Sequence, residues 1–415
     1  MKNKGQPSDN APTARIFTLM LAVFTVSVGY GIVLPLLPYL IERLIGGTVI
    51  TAQVSRHTGL LTGAYALALF LFAPMWGRLS DRIGRRNILL VGLLGFSITM
   101  LISSFVESLV AVYAERILSG IFSAAVTPVA AAAIGDIDSA DQLRARRLAF
   151  VSMAGIAGFL LGPMLSVFIS RFSITVFTIV QPSGSLMIPL LVTSFLAIII
   201  AIAVAYVIPN VPSRERLKTA STGLKNMNTP VVLKLLALTF IVSAGIGVFE
   251  VGLALRGKQD VGLTPYQIAL MFSECSLVMF VAQGIVFSSW IKPEITRWFI
   301  PPALAILAFA LFFVPRASNF SLMLAVVGTV AASAGILSPI LTYWISSRAG
   351  SAQGWELGKQ TAAASLGITI GSAAGGLLFK VGAFSGASFI LAAVLTGLGF
   401  LLSFRLPYLL MPHNL

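Results

Sequence analysis

The stretch "GRLSDRIGRR", residues 77–86, decides how the rest of the chain is read. It sets Arg78, Asp81, Arg82, Arg85 and Arg86 between two long apolar runs, in a chain of which only 10% is charged. Soluble domains carry about 25% charged residues, so a connection this polar stands out against an unusually apolar background. The whole chain is 57% hydrophobic, with a mean hydropathy of +0.95. A water-soluble core has no use for that much apolar surface. A bilayer does, at about 20 apolar residues per crossing helix.

Outward from that connection, the apolar runs predict twelve spans near 16–40, 58–77, 87–106, 110–134, 148–170, 186–208, 231–254, 265–290, 298–315, 320–345, 358–380 and 386–406. Residues 1–15 and 407–415 read as polar tails, and 209–230 as a linker bracketed by Pro209, Pro212 and Pro230. The linker separates a six-helix bundle at 16–208 from a second one at 231–406. The reading is an all-α membrane protein of twelve transmembrane helices in two bundles related by pseudo-two-fold symmetry.

The net charge of +14 is distributed by side. With the N-terminus inside, the outer connections carry only Arg43, Arg56, Arg171, Arg256, Lys258, Arg316 and Lys380, while eighteen basic residues fall on the inner connections and tails. This is the positive-inside pattern, and it predicts both termini in the cytoplasm. The basicity therefore reads as topology with some attraction to anionic lipid, and nucleic acid is not an expected partner. The single cysteine, Cys275, excludes an intramolecular disulfide and a multi-cysteine metal site. The two histidines, His57 and His413, read as loop and tail residues, and no metal site is expected. The N-terminal "MKNKGQPSDNAPTAR" reads as a tail ahead of an uncleaved first span.

The halves read as copies. "FTVSVGYGIVLP" (24–35) aligns with "FIVSAGIGVFEV" (240–251) at an offset of 216. "AAVTPVAAA" followed by "GFLLGP" parallels "GILSPILTY" followed by "GITIGS", with Pro128 and Pro339 separated by 211. Parallel six-helix repeats build transporters with a central site between the halves.

The connection at 77–86 also suggests a moving part. Gly77 and Gly84 permit a tight turn. Asp81 can face the positive N-terminus of a neighbouring helix, and Arg85 can pair with Asp136 at the end of the fourth span. The corresponding connection, "SSWIKPEITRW" (288–298), keeps only Glu294 as a relic, which predicts unequal halves. In "GFLLGP" (158–163), Gly158 and Gly162 share a face for close helix packing, and Pro163 removes a backbone donor and reads as a hinge.

Four segments resemble the major facilitator superfamily, in its twelve-helix drug/proton antiporter branch: "GRLSDRIGRR", "RILSGIFSAAVTP" (116–128), "GFLLGP" and "GYGIVLPLLP" (29–38). The resemblance implies that Asp81 sits near the start of the eleventh helix, that Arg85 pairs with Asp136, and that Arg116 serves proton coupling. It implies a small-molecule substrate, protons and lipid as partners, no cofactor beyond a proton gradient, no enzymatic activity, a monomer, and a bacterial inner membrane. The first span carries no acid, a departure from branch members that couple through one there.

Charges inside the membrane point to function. Glu115, Arg116, Glu250 and Glu274 fall within the spans, all expected in the outer half of the bilayer. A buried carboxyl gives up its proton less readily than one in water and can exchange it as access alternates. Glu250 stands where the first half has Leu34, and is the foremost proton-site candidate. Its alternative is an interfacial residue that reaches outer water. Glu274 reads equally as a structural group pairing with Arg256 or Lys258, and Glu115 points about 100° from Arg116 on an ideal helix. Phe24, Tyr30, Phe249, Gln283, Tyr343 and Gln360 are the candidate cavity residues, suited to amphipathic or hydrophobic ligands. The expectation is proton-coupled efflux of such compounds by alternating access. A dedicated exporter of an endogenous metabolite and a non-transporting membrane sensor are the alternatives.

Overall fold

The computed structural model describes residues 11–46, 51–137, 141–176, 187–209, 230–288, 290–317, 319–348, 353–381 and 384–411. The interior of the 209–230 linker lies outside the described residues. Among the described residues the long helices follow in order: α1 (Ala11–Val33, continuing through a 3-10 turn into Leu37–Ile45), α2 (Thr51–Ile83), α3 (Arg85–Ser103), α4 (Leu109–Ser123, resuming at Thr127–Gly135), α5 (Asp141–Val176), α6 (Met187–Val207), α7 (Pro230–Gln259), α8 (Pro265–Val286), α9 (Ile300–Phe313, after the 3-10 segment Pro293–Phe299), α10 (Phe320–Ser346), α11 (Gln353–Leu377) and α12 (Ala387–Ser403). Among the described residues ten spans are long and apolar enough to cross a membrane; α12 is a shorter apolar helix, and α11 carries Glu356 and Lys359 in its first two turns.

Several helices overrun the predicted spans, because a helix does not stop where its apolar stretch meets water. The first begins at Ala11, inside the expected tail, and α2 extends back to Thr51, which puts His57 in a helix and not in a loop. His57 Nδ1 lies 3.0 Å from the Tyr113 hydroxyl. The break in α1 follows from Pro35 and Pro38, each of which removes a donor from the helical ladder.

The two halves repeat in packing as well as in sequence. In the first half α1 packs on α5, α3 on α6 and α2 on α4; six helices on, α7 packs on α11, α9 on α12 and α8 on α10. Between halves, α2 packs along α11 and α5 along α8. The glycine contacts show the correspondence at atomic level. A Cβ on Gly158 would fall 2.3 Å from the Phe24 carbonyl oxygen and 3.0 Å from the Ser27 Cβ. One on Gly367 would fall 2.3 Å from the Phe240 carbonyl oxygen and 3.0 Å from the Ser243 Cβ. Phe24 and Phe240, like Ser27 and Ser243, are the pairs related by the 216-residue offset. Only glycine lets the backbones approach this closely.

Helices α3, α6, α9 and α12 turn Ile98, Ile199, Phe309 and Leu401 outward, as lipid contact demands. Several hydroxyls inside the spans are satisfied within their own helices: Thr25, Thr62, Thr239 and Thr396 each donate to the carbonyl four residues back. The fold leaves α1, α2, α4 and α5 of one half facing α7, α8, α10 and α11 of the other.

Candidate functional site

A cavity of about 420 Å³ lies between those eight helices. Its walls are mainly apolar, with hydroxyls from Ser27, Thr127, Ser152 and Thr361. Among its lining residues the single charged group is Glu250. Helix α7 continues to Gln259, five residues beyond the predicted end, so Glu250 stands about 14 Å from that terminus at 1.5 Å per residue. That places its carboxyl on the cavity wall.

Glu250 Oε2 accepts a 2.8 Å hydrogen bond from the Tyr30 hydroxyl, which joins α7 to α1 across the halves. Tyr30 stacks on Tyr65 at 5.1 Å and on Phe159 at 5.7 Å, and Phe159 meets Phe272 edge-on at 6.0 Å. These rings wall the cavity beside the carboxylate. Behind them, the Arg116 guanidinium lies 5.9 Å from the Tyr65 ring centroid.

Arg116 donates from Nε and from one terminal nitrogen to both oxygens of Glu115, at 2.6 and 2.8 Å, and both side chains are 3% exposed. The expectation that these neighbours point apart is corrected: their Cβ atoms diverge, but the long side chains curl together because neither charge has water to turn to. Glu274 lies off the cavity wall. Its carboxylate occupies the seam between α8 and α10, where a Cβ on Gly328 would fall 3.2 Å from Oε1. No pairing of Glu274 with Arg256 or Lys258 forms: Arg256 meets Asp260 at 3.7 Å, and Lys258 pairs with Glu42.

Of the six cavity candidates, Tyr30, Phe249 and Gln360 line the cavity; Phe24, Gln283 and Tyr343 do not. Gln360 donates to the Thr342 hydroxyl at 2.6 Å. Phe24 contributes its carbonyl to the α1–α5 contact. Gln283 is fully buried, with neither amide atom hydrogen-bonded among the described residues. Tyr343 is buried against Trp344. Sequence spacing missed Tyr65 and Phe159, whose aromatic character alone does not separate a cavity wall from lipid contact.

The 77–86 connection forms a compact cluster at one face, here called the basic face. Gly84 adopts φ +101°, a conformation that favours glycine, and this residue alone makes the turn. Gly77 is helical and buried within α2, contrary to its expected place in the turn. Arg85 bonds Asp136 at 2.9 Å and pairs with Asp81 at 2.6 Å. Asp81 also accepts the backbone N–H of Trp355 at the start of α11, and the Arg78 guanidinium lies 4.1 Å above the Trp355 ring. These last two contacts cross from one half to the other. Arg82 and Glu294 are exposed. Gly162 packs on α1, and Pro163 lies inside α5, which runs on past it. Pro163 cannot bond the Phe159 carbonyl four residues back; that oxygen instead faces Gly31, whose Cβ would fall 2.8 Å away.

Two repeated six-helix bundles around a mainly apolar central cavity that holds one carboxylate have the architecture of a polytopic membrane transporter. The sequence profile of the Major Facilitator Superfamily matches residues 19–355, and the chain belongs to that family. It is 28% identical over 378 residues to Multidrug resistance protein 2 of Bacillus subtilis (strain 168), covering 88% of this chain and 89% of that protein. Multidrug resistance protein 1 of the same organism is 26% identical over 369 residues, with 88% and 89% covered. Quinolone resistance protein NorA of Staphylococcus aureus (strain COL) is 23% identical over 375 residues, with 88% and 90% covered. The fold is similar to the crystal structure of the human organic anion transporter MFSD10 (TETRAN), with a TM-score of 0.77, 20% identity, and 96% and 100% of the two chains covered. The family and these relatives are transporters, and the chain is an integral multi-pass membrane protein.

Proposed function

We propose that the protein is a proton-driven exporter of small amphipathic or hydrophobic compounds. The observation that carries this reading is Glu250, the one charged group lining a cavity built by both halves. A carboxylate beside stacked aromatic rings suits an amphipath with a cationic group, which the rings and the charge both attract. A proton and such a substrate compete for the same oxygen atoms. Facing Glu250 are the Tyr30 hydroxyl from α1 and the thiol of Cys275 from α8. Tyr65 and Arg116 act on it through Tyr30. In the proposed cycle the halves rock about the cavity, a proton entering from one face displaces substrate bound from the other, and no further cofactor is needed.

The charge asymmetry of the connections supports cytoplasmic termini and a basic face toward the cytoplasm, in a bacterial inner membrane. The resemblance to multidrug and quinolone resistance proteins supports export over import. Membrane vesicles with an imposed pH gradient test the reading. The wild type should move a cationic amphipathic dye against its gradient, and Glu250→Gln should not. Equal gradient-driven movement in both would remove Glu250 from the mechanism.

A further inference from the structure

The connection at 288–298 holds no counterpart of the 77–86 cluster, and a second set of contacts between halves lies instead at the opposite face. Lys258, at the far end of α7, pairs with the Glu42 carboxylate, donates to the Pro38 carbonyl at 3.1 Å, and lies 4.5 Å from the Tyr39 ring centroid. The Tyr39 hydroxyl donates to the Leu263 carbonyl at 2.9 Å, and Gln259 donates to the Ser55 hydroxyl at 3.1 Å. Each contact joins the first half to the second. Along α1 and α7 they continue the line begun by Tyr30 and Glu250, two turns nearer the membrane centre.

We propose that Lys258, held by Glu42, Pro38 and Tyr39, is the latch that closes the opposite face over the cavity. The two ends of the transporter are thus fastened by different chemistry. The basic face uses a carboxylate on a helix N-terminus, with an arginine stacked on tryptophan. The opposite face uses one lysine caught by a carboxylate, a carbonyl and a ring. The basic-face contacts come from the end of α2 and the start of α11, and those of the opposite face from α1 and α7. Helix α1 supplies the receptor for Lys258 in the segment after its break, since Pro38, Tyr39 and Glu42 all lie on Leu37–Ile45. Lys258 serves transport as a positioning residue, since it touches neither cavity nor substrate.

The inference rests on the alternating-access reading, and the native thiol can test the two separately. Cys275 is the sole cysteine and lines the cavity. In oriented vesicles, a membrane-impermeant maleimide applied from the opposite face should label it slowly in the wild type. Lys258→Met loses all three interactions and should label roughly 5- to 20-fold faster, whereas Glu42→Gln loses only an exposed ion pair and should label about 2- to 5-fold faster. Lys258→Arg keeps charge, donors and ring contact and should stay near wild type, which separates the latch from a general loosening of the fold. Equal, measurable labelling of wild type and Lys258→Met overturns the latch and leaves alternating access standing. No labelling from that face in any variant, with labelling from the basic face, overturns both.

Discussion

Asp81→Asn probes the contact that fastens the basic face. The 2.6 Å pairing of Asp81 with Arg85 lies within one connection, so it shapes the turn and does not join the halves. What crosses between halves is the Trp355 N–H donated to Asp81 and the Arg78 guanidinium stacked on the Trp355 ring. Asparagine retains an acceptor oxygen, so the hydrogen bond changes from charge-assisted to neutral. Charge-assisted bonds contribute about 1.5–3 kcal/mol and neutral ones about 0.5–1.5 kcal/mol. Losing a negative charge at a helix N-terminus costs a further ~0.5 kcal/mol. The contact between halves therefore weakens by about 1.5 kcal/mol, roughly a tenfold shift between joined and parted states. Trp355→Ala keeps the N–H and removes only the ring, a loss of about 0.5–1 kcal/mol or about 2- to 5-fold. Maleimide labelling of Cys275 from the basic face should accelerate in that order, with Asp81→Asn ahead of Trp355→Ala, while protein abundance holds. A wild-type rate in Asp81→Asn, or a larger effect in Trp355→Ala, refutes the carboxylate as the principal link.

Two further sets of substitutions address stability. Gly158→Ala and Gly367→Ala each drive a methyl to 2.3 Å from a carbonyl oxygen and should each cost about 1–3 kcal/mol of stability in detergent melting. Gly397→Ala, in open space, should be neutral or slightly stabilising, and a similar loss at all three would undo the close-packing argument. Arg116→Met strands Glu115 in a site where both side chains are 3% exposed. It should cost about 3–5 kcal/mol, most of it recovered on adding Glu115→Leu; a mild single variant would mean the pair is hydrated.

Much of the architecture is legible in the sequence because a bilayer imposes a length on every crossing segment, and because the repeat preserves side chains at one offset. The pairs Phe24/Phe240 and Ser27/Ser243 meet equivalent glycines, so the alignment of two strings foretold a packing arrangement. The partnership of Arg85 with Asp136 was legible for a different reason. In a chain with few acids, a buried arginine beside the end of the fourth span has few choices.

What escaped the sequence depends on the reach of side chains and on positions far apart in the chain. Glu115 and Arg116 diverge at Cβ and converge at their tips, which helical phase does not register. Trp355 and Lys258 belong to no spacing pattern; each becomes meaningful only when the other half is brought against it. The partnership of Glu250 with Tyr30 was not legible, because it forms only when α7 is brought against α1 of the other half. Glu274, another acid within the spans, illustrates the limit of counting charges. Its place on the seam with α10 depends on helix rotation, and one residue of rotation separates it from Cys275 on the cavity wall.

The central claim is that one carboxyl holds either a proton or the substrate. The direct measurement is proton release on substrate binding by purified protein in weakly buffered detergent, with a pH-indicator dye. Addition of a cationic amphipath to the wild type near neutral pH should release protons in proportion to the substrate bound, and Glu250→Gln should release none. Undiminished release from Glu250→Gln, or binding by the wild type without release across the neutral range, would contradict the account.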